Sequence, residues 1–287
     1  MKSPIKNIRL AVVFITVLLN TACDNEKNNI ANSNNDVPNL TITNDTLLDV
    51  NYESGTVNSA ITGINPTNAI ASDAAYIVGL AGTYHIAHKV ILGVSGYYSN
   101  EAYRSESDAD NISNARFLPG DERRYEFMVL LKDWEEWNSE NPAYGDNIFQ
   151  LKVSGGALVP VRILTKRNAI VTRNTNYQDN LVTDFRPYIN QWIHFRIDVK
   201  WATTNTGYLK IYTKLPDQDN YNLVLNKSNY ATYTGTPETL PGQHGYIKWG
   251  VYREAGKDTN GNVITSDNIL SRIVYHDNIR IIKLPLE

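Results

Sequence analysis

Tyr246-Ile-Lys-Trp-Gly-Val-Tyr-Arg253 places two phenols and an ammonium on one side of an extended chain. Strand side chains alternate, so Tyr246, Lys248, Gly250 and Tyr252 share a face, while Ile247, Trp249 and Val251 take the other. The second set suits a core. The first is unusual for a solvated face, and Gly250 leaves space for a ligand to lie against the backbone. An unperturbed phenol titrates near pH 10. A nearby cation favours the phenolate, and such a group can take a proton and return it. Tyr252 is the candidate for that work. The same pattern would also serve an amphipathic outer strand, so the other elements must discriminate.

Distance limits which cations can assist. Lys248 and Tyr252 are four residues apart, roughly 13 Å along a strand, too far to share one carboxylate. Lys248 is therefore expected to meet a neighbouring unit of any ligand. Adjacent strands lie only about 4.8 Å apart, so cations from other strands are better placed. Gln150-Leu-Lys152 sits on the alternating segment Asn147–Val153, with Phe149, Leu151 and Val153 turned inward. Arg104 and Glu106 share a face in Arg104-Ser-Glu106, and Val159–Thr165 with Ala169–Arg173 reads as a hairpin carrying Arg162, Lys166 and Arg173. If the strands adjoin, Lys152 can neutralise a carboxylate beside Tyr252, with Arg104 and Gln150 binding it and Tyr246, Lys248 and Arg162 lining the site. The plain alternatives are a solvated Lys152 and a surface Arg104–Glu106 pair of little energetic worth.

Other chemistries fit less well. His88, His194, His244 and His276 read as structural; His85 is the histidine that could join a site. Asp133, Glu135 and Glu136 could suggest glycoside hydrolysis, which needs a spaced carboxylate pair. Successive strand residues face opposite ways, however, and the Tyr252 strand carries no second carboxylate. No cofactor or metal centre is expected. Asp258-Thr-Asn-Gly-Asn262 offers oxygens at alternate positions and leaves a structural calcium ion open, but Val263 stands where an EF-hand loop wants Gly, so a turn is the better reading.

The elements that must position these residues are strands. Trp192–Trp201 alternates most clearly, with Ile193, Phe195, Ile197, Val199 and Trp201 on one face; Gly207–Lys214 reads as its partner. Lys89–Ser95, Arg124–Leu131 and Ser271–Leu284 are further strands, and no amphipathic helix is evident. Many short strands between turn signals imply an all-β sandwich. If one sheet curves, its outer face becomes a concave groove suited to a long polymer. The 287 residues carry a net charge of -3, which argues against a nucleic-acid partner. With a single cysteine, Cys23, no intrachain disulfide exists. Lys2, Lys6 and Arg9 precede the apolar run Leu10–Leu19, so residues 1–22 read as a signal peptide. Leu-Leu-Asn-Thr-Ala-Cys23 resembles a lipoprotein cleavage box, with Asn20 departing from it. Lipidated Cys23 would anchor the exported chain to the outer membrane; ordinary secretion is the alternative. Residues 23–45 are Asn-rich and read as a flexible tether, and residues 46–287 as one domain, expected to be a monomer.

Several motifs resemble one superfamily. Tyr246-Ile-Lys-Trp-Gly-Val-Tyr252 is similar to the Tyr-Phe-Lys-Ala-Gly-Val-Tyr strand of the jelly-roll polysaccharide lyases of the alginate and heparin lyase I type. Arg104-Ser-Glu106 resembles the start of their Arg-Ser-Glu-Leu-Arg strand, and Gln150-Leu-Lys152 falls where they carry Gln-Ile-His. Lys152 in place of that histidine resembles the short ulvan lyases of polysaccharide lyase family 28, in which a lysine and a tyrosine carry catalysis. The resemblance implies a concanavalin A-like jelly roll and endolytic β-elimination of an anionic, uronate-containing polysaccharide. Ulvan is the implied substrate, with alginate, glucuronan or a glycosaminoglycan as alternatives. Such elimination removes the C5 proton, expels the sugar on O4, and needs the C6 carboxylate neutralised. A non-catalytic carbohydrate-binding module on the same fold is the rival reading.

Overall fold

A computed structural model describes residues 45–285, apart from 141–144, 156–157, 175–176, 234–241, 255, 258–262 and 265–267. The expected signal peptide, Cys23 and the tether to residue 44 lie outside the described residues, as does the whole of the Asp258–Asn262 turn. The strands, in chain order, are β1 (Thr46–Val50), β2 (Ala75–Leu80), β3 (Thr83–Ile91), β4 (Tyr98–Ser99), β5 (Ala102–Asp108), β6 (Glu122–Lys132), β7 (Gly145–Val153), β8 (Val161–Lys166), β9 (Ala169–Arg173), β10 (Gln178–Val182), β11 (Trp192–Lys200), β12 (Gly207–Lys214), β13 (Asn222–Tyr230), β14 (Gly245–Arg253), β15 (Gly256–Lys257), β16 (Val263–Ile264) and β17 (Ser271–Lys283). Among the described residues the only helical segments are three single 3-10 turns.

Two antiparallel sheets form a sandwich. One runs β13-β12-β11-β6-β17-β3-β2, with β1 also paired to β17; the other runs β10-β9-β8-β7-β14-β5-β4. Between them lies a core built by period-two alternation. Ile193, Phe195, Ile197, Val199 and Trp201 are all fully buried, as their spacing predicts. Phe127 of β6 stacks on Phe149 of β7 at 4.0 Å and on Phe195 at 5.1 Å, so one aromatic column joins the sheets. The strand expected over Lys89–Ser95 instead ends at Ile91, because the chain turns at Gly93, where φ is +79°.

Gly250 has a different purpose from the one its sequence context suggests. Its φ is +141°, and an added Cβ would overlap the Ser105 carbonyl and the Glu106 Cα. The glycine admits the neighbouring strand β5, not a ligand. Beneath it the core is partly polar. His88 is fully buried, with Nε2 3.0 Å from Ser107 Oγ and 3.3 Å from the Pro66 carbonyl. Trp249 Nε1 donates to the buried Tyr52 hydroxyl at 2.7 Å.

Burial holds the His88 imidazole at a pKa of about 4, partly opposed by the Pro66 carbonyl. The folded state thus binds a proton less readily than the unfolded chain. Its stability is complete above the ordinary histidine pKa and falls as pH drops from about 6.5 towards 4. Chemical denaturation at pH 7 and pH 4 should show a loss of about 3 kcal/mol from this group, and His88→Phe should flatten that slope.

Candidate active site

The polar face of the seven-stranded sheet carries most of the residues singled out by sequence. Their pairing is set by register. On β14, Tyr252 lies opposite Arg104 of β5, Gly250 opposite Glu106, and Lys248 opposite Asp108. On the other side, Tyr246 lies opposite Lys152 of β7, Lys248 opposite Gln150, and Tyr252 opposite Asn147. Gln150 in turn faces Arg162 of β8, which faces Arg173 of β9.

The expected pairing of Lys152 with Tyr252 is therefore not formed. The strands do adjoin, but they are antiparallel. Lys152 meets Tyr246, six residues from Tyr252, roughly 20 Å along the strand. Tyr252 has another role: the Arg104 guanidinium lies 4.5 Å over its ring. Burial raises the Tyr252 phenol, against the pull of Arg104, which keeps it protonated.

Glu106 organises the centre of this face. It is 1 % exposed, accepts from Lys248 Nζ at 2.7 Å and from Gln150 Nε2, and stands 4.0 Å from Arg104. Burial alone would raise its carboxyl, yet Lys248, Arg104 and Gln150 bring it below the ordinary range. Lys248 is itself buried, so the expectation that it reaches a neighbouring sugar is not met; its ammonium is held inside by Glu106. Gln150 is likewise buried. The Arg104–Glu106 pair is no solvated surface contact, because its carboxylate is out of water. Arg162 pairs with Glu254 at 3.3 Å, and Arg173 binds the same carboxylate.

His85 is elsewhere. Ile86, His88 and Val90 of β3 point into the core, which turns His85 to the outer face of the other sheet. There it is buried, 3.0 Å from Asp277 and 4.8 Å from the Trp192 ring. Sequence reasoning missed His244 and Asp110. His244 Nε2 lies 2.6 Å from Asp110 Oδ1, and its ring is 6.4 Å from that of Tyr246. Alternation carries the signal, since His244 and Tyr246 are two residues apart.

Lys152 and Tyr246 are half-buried, and their surroundings push them in opposite directions. Burial lowers the Lys152 ammonium, with Lys248, Arg104 and Arg162 adding repulsion that Glu106 only partly offsets. Burial raises the Tyr246 phenol, with Asp110, Asp108 and Glu106 adding to the effect. The amine is thereby easier to deprotonate than a free lysine, and the phenol is kept protonated.

A family model described as polysaccharide lyase matches residues 75–280. The chain belongs to that polysaccharide lyase family. No curated protein sequence matches it. The lyase is similar in structure to an endo-β-1,4-glucuronan lyase from Trichoderma reesei, at 18% identity and a TM-score of 0.50, over 77% of this chain and 92% of that one. It is also similar to a PL-14 alginate lyase from Aplysia kurodai, at 11% identity and 0.53, over 83% and 99%. The catalytic domain of a glycoside hydrolase family 131 protein from Coprinopsis cinerea shares the fold at 10% identity and 0.57, over 84% and 96%. The sandwich is thus common to both chemistries, and the family model carries the assignment of this enzyme as a lyase.

Glu106→Gln should leave the buried Lys248 ammonium without its counter-charge. Urea unfolding should show a loss of about 3–5 kcal/mol, well beyond that of Glu254→Gln at the more exposed Arg162–Arg173 pair.

Proposed function

We propose that this lyase cleaves a uronate-containing polysaccharide endolytically by β-elimination, with Lys152 as general base and Tyr246 as general acid. The observation that carries this reading is the register that sets Lys152 opposite Tyr246, with their pKa values displaced downward and upward. Neutral Lys152 takes the C5 proton. The electron pair forms the C4–C5 double bond as the C4–O4 bond breaks, and Tyr246 gives its proton to the leaving O4. Cross-strand neighbours lie about 5 Å apart, so Lys152 can return its proton to the phenolate through solvent. Gln150, one row inward, is held by Glu106, which leaves the partly exposed Arg162 beyond it as the cation for an anionic C6 carboxylate bound beside this pair. This reading replaces Tyr252 with Tyr246 and changes Lys152 from neutraliser to base.

The lysine at the place of the superfamily histidine supports ulvan as the polymer. Similarity to the Trichoderma reesei enzyme supports glucuronan as a second substrate. Export, with or without a lipid on Cys23, suits a polymer too large to enter a cell.

Absorbance of the unsaturated uronate product tests the roles. Tyr246→Phe should lower kcat by about 10²–10⁴-fold, the range of general acid–base catalysis, whereas Tyr252→Phe should retain most activity. Equal loss in both would remove Tyr246 from its special place. The base must be neutral, so kcat/KM should rise with pH through a value below the usual lysine range. It should fall only where Tyr246 ionises, above the usual tyrosine range. Lys152→Arg keeps the cation but cannot become a neutral base. It should be inactive; an active Lys152→Arg enzyme would return Lys152 to the neutralising role.

A further inference from the structure

Beyond the Tyr246 end of the polar face lies a cavity of about 770 Å³, lined by Arg116, Arg123, Lys283, Asp121, Gln243 and His244 among others. Three permanent cations face one carboxylate. Asp121 is already engaged, 3.0 Å from Arg123 and accepting the Leu118 amide at 2.8 Å. Arg123 is 9 % exposed, and its Nε is buried without a hydrogen-bond partner among the described residues. Arg116 spends its Nε on the Asp110 carbonyl at 2.7 Å and has no carboxylate partner among the described residues. Lys283 is exposed and has none either among those residues. An unsatisfied buried guanidinium nitrogen is costly unless something accepts from it.

The cavity is tied to the catalytic face. Phe117, next to Arg116, exchanges both backbone hydrogen bonds with Gly245, the first residue of β14, at 3.0 and 2.8 Å. Asp110 contacts both sides, its carbonyl binding Arg116 and its carboxylate binding His244. His244 lines the cavity and stands beside Tyr246. A polymer crossing the Tyr246–Lys152 row would bring its next unit to this opening, since His244 is only about 6.6 Å along the chain from Tyr246.

We propose that this cavity is a subsite for an anionic substituent, sulfate or carboxylate, on the sugar next to the one cleaved, held by Arg116, Arg123 and Lys283. This rests on the polymer reading above. It makes the enzyme select for the charge of a neighbouring sugar, separately from the uronate that reacts.

Titration calorimetry of the wild-type chain, Lys283→Glu and Arg116→Ala with oligosaccharides of ulvan, desulfated ulvan and glucuronan tests it, with elimination followed in parallel. Lys283→Glu is informative even if Arg116→Ala disturbs its loop, because Lys283 is exposed. Lys283→Glu should weaken binding about tenfold or more, the effect of losing a charge-assisted contact and reversing its sign. Loss confined to ulvan identifies sulfate as the ligand; equal loss on desulfated ulvan and glucuronan identifies carboxylate. Unchanged affinity in both variants on every polymer that binds, or no binding of any polymer, overturns the subsite. Binding that depends on these cations but yields no unsaturated product overturns the elimination reading while leaving the subsite in place.

Discussion

A buried carboxylate governs the polar face of the seven-stranded sheet. Glu106 sits where three strands meet, and a lone charge there would be strongly disfavoured. It persists because Lys248 of β14 and Gln150 of β7 converge on it, with Arg104 of its own strand behind. The three strands are therefore fixed at one level by charge-assisted hydrogen bonds as well as by their ladders. Gly250 completes the arrangement by letting β5 approach β14 closely at the same level. Two polar residues that alternation offers to a ligand are thereby withdrawn from it.

The polar face is electrostatically divided. Asp108, Asp110 and Glu106 lie on the β5 side of β14, and Lys152, Arg162, Lys166 and Arg173 on the side of β7, β8 and β9. Tyr246 lies within the influence of the carboxylates and Lys152 within that of the cations. A single cross-strand pair thus combines a phenol held protonated with an amine easier to deprotonate than a free lysine. Under the proposed function, an anionic polymer would be drawn to the cationic half, where its acidic carbon would meet the amine.

The same sandwich occurs in a glycoside hydrolase, so the fold by itself does not choose the chemistry. Hydrolysis of a glycoside needs two carboxylic groups with distinct roles. Here the central carboxylate is neutralised by a buried lysine, which leaves it no proton to give.

The faces of the strands were legible from the chain alone. Residues two apart in an extended segment must share a side, so the core set Ile247, Trp249, Val251 and the polar set Tyr246, Lys248, Tyr252 follow from spacing. The inward Phe149, Leu151 and Val153 follow for the same reason. That the Arg104, Gln150 and Tyr246 segments adjoin was a condition of the sequence reading, and the sheet order β7-β14-β5 meets it. Local sequence holds no record of how far one strand slides along another, because register is chosen by pairing across the sheet. That slide placed Lys152 beside Tyr246 instead of Tyr252. The packing of β3 against β17 sent His85 to the opposite side of the molecule, and the burial of Glu106 turned Lys248 from a ligand contact into its counter-ion. Alternation fixes which way a side chain points; only the assembled sheet decides what it meets.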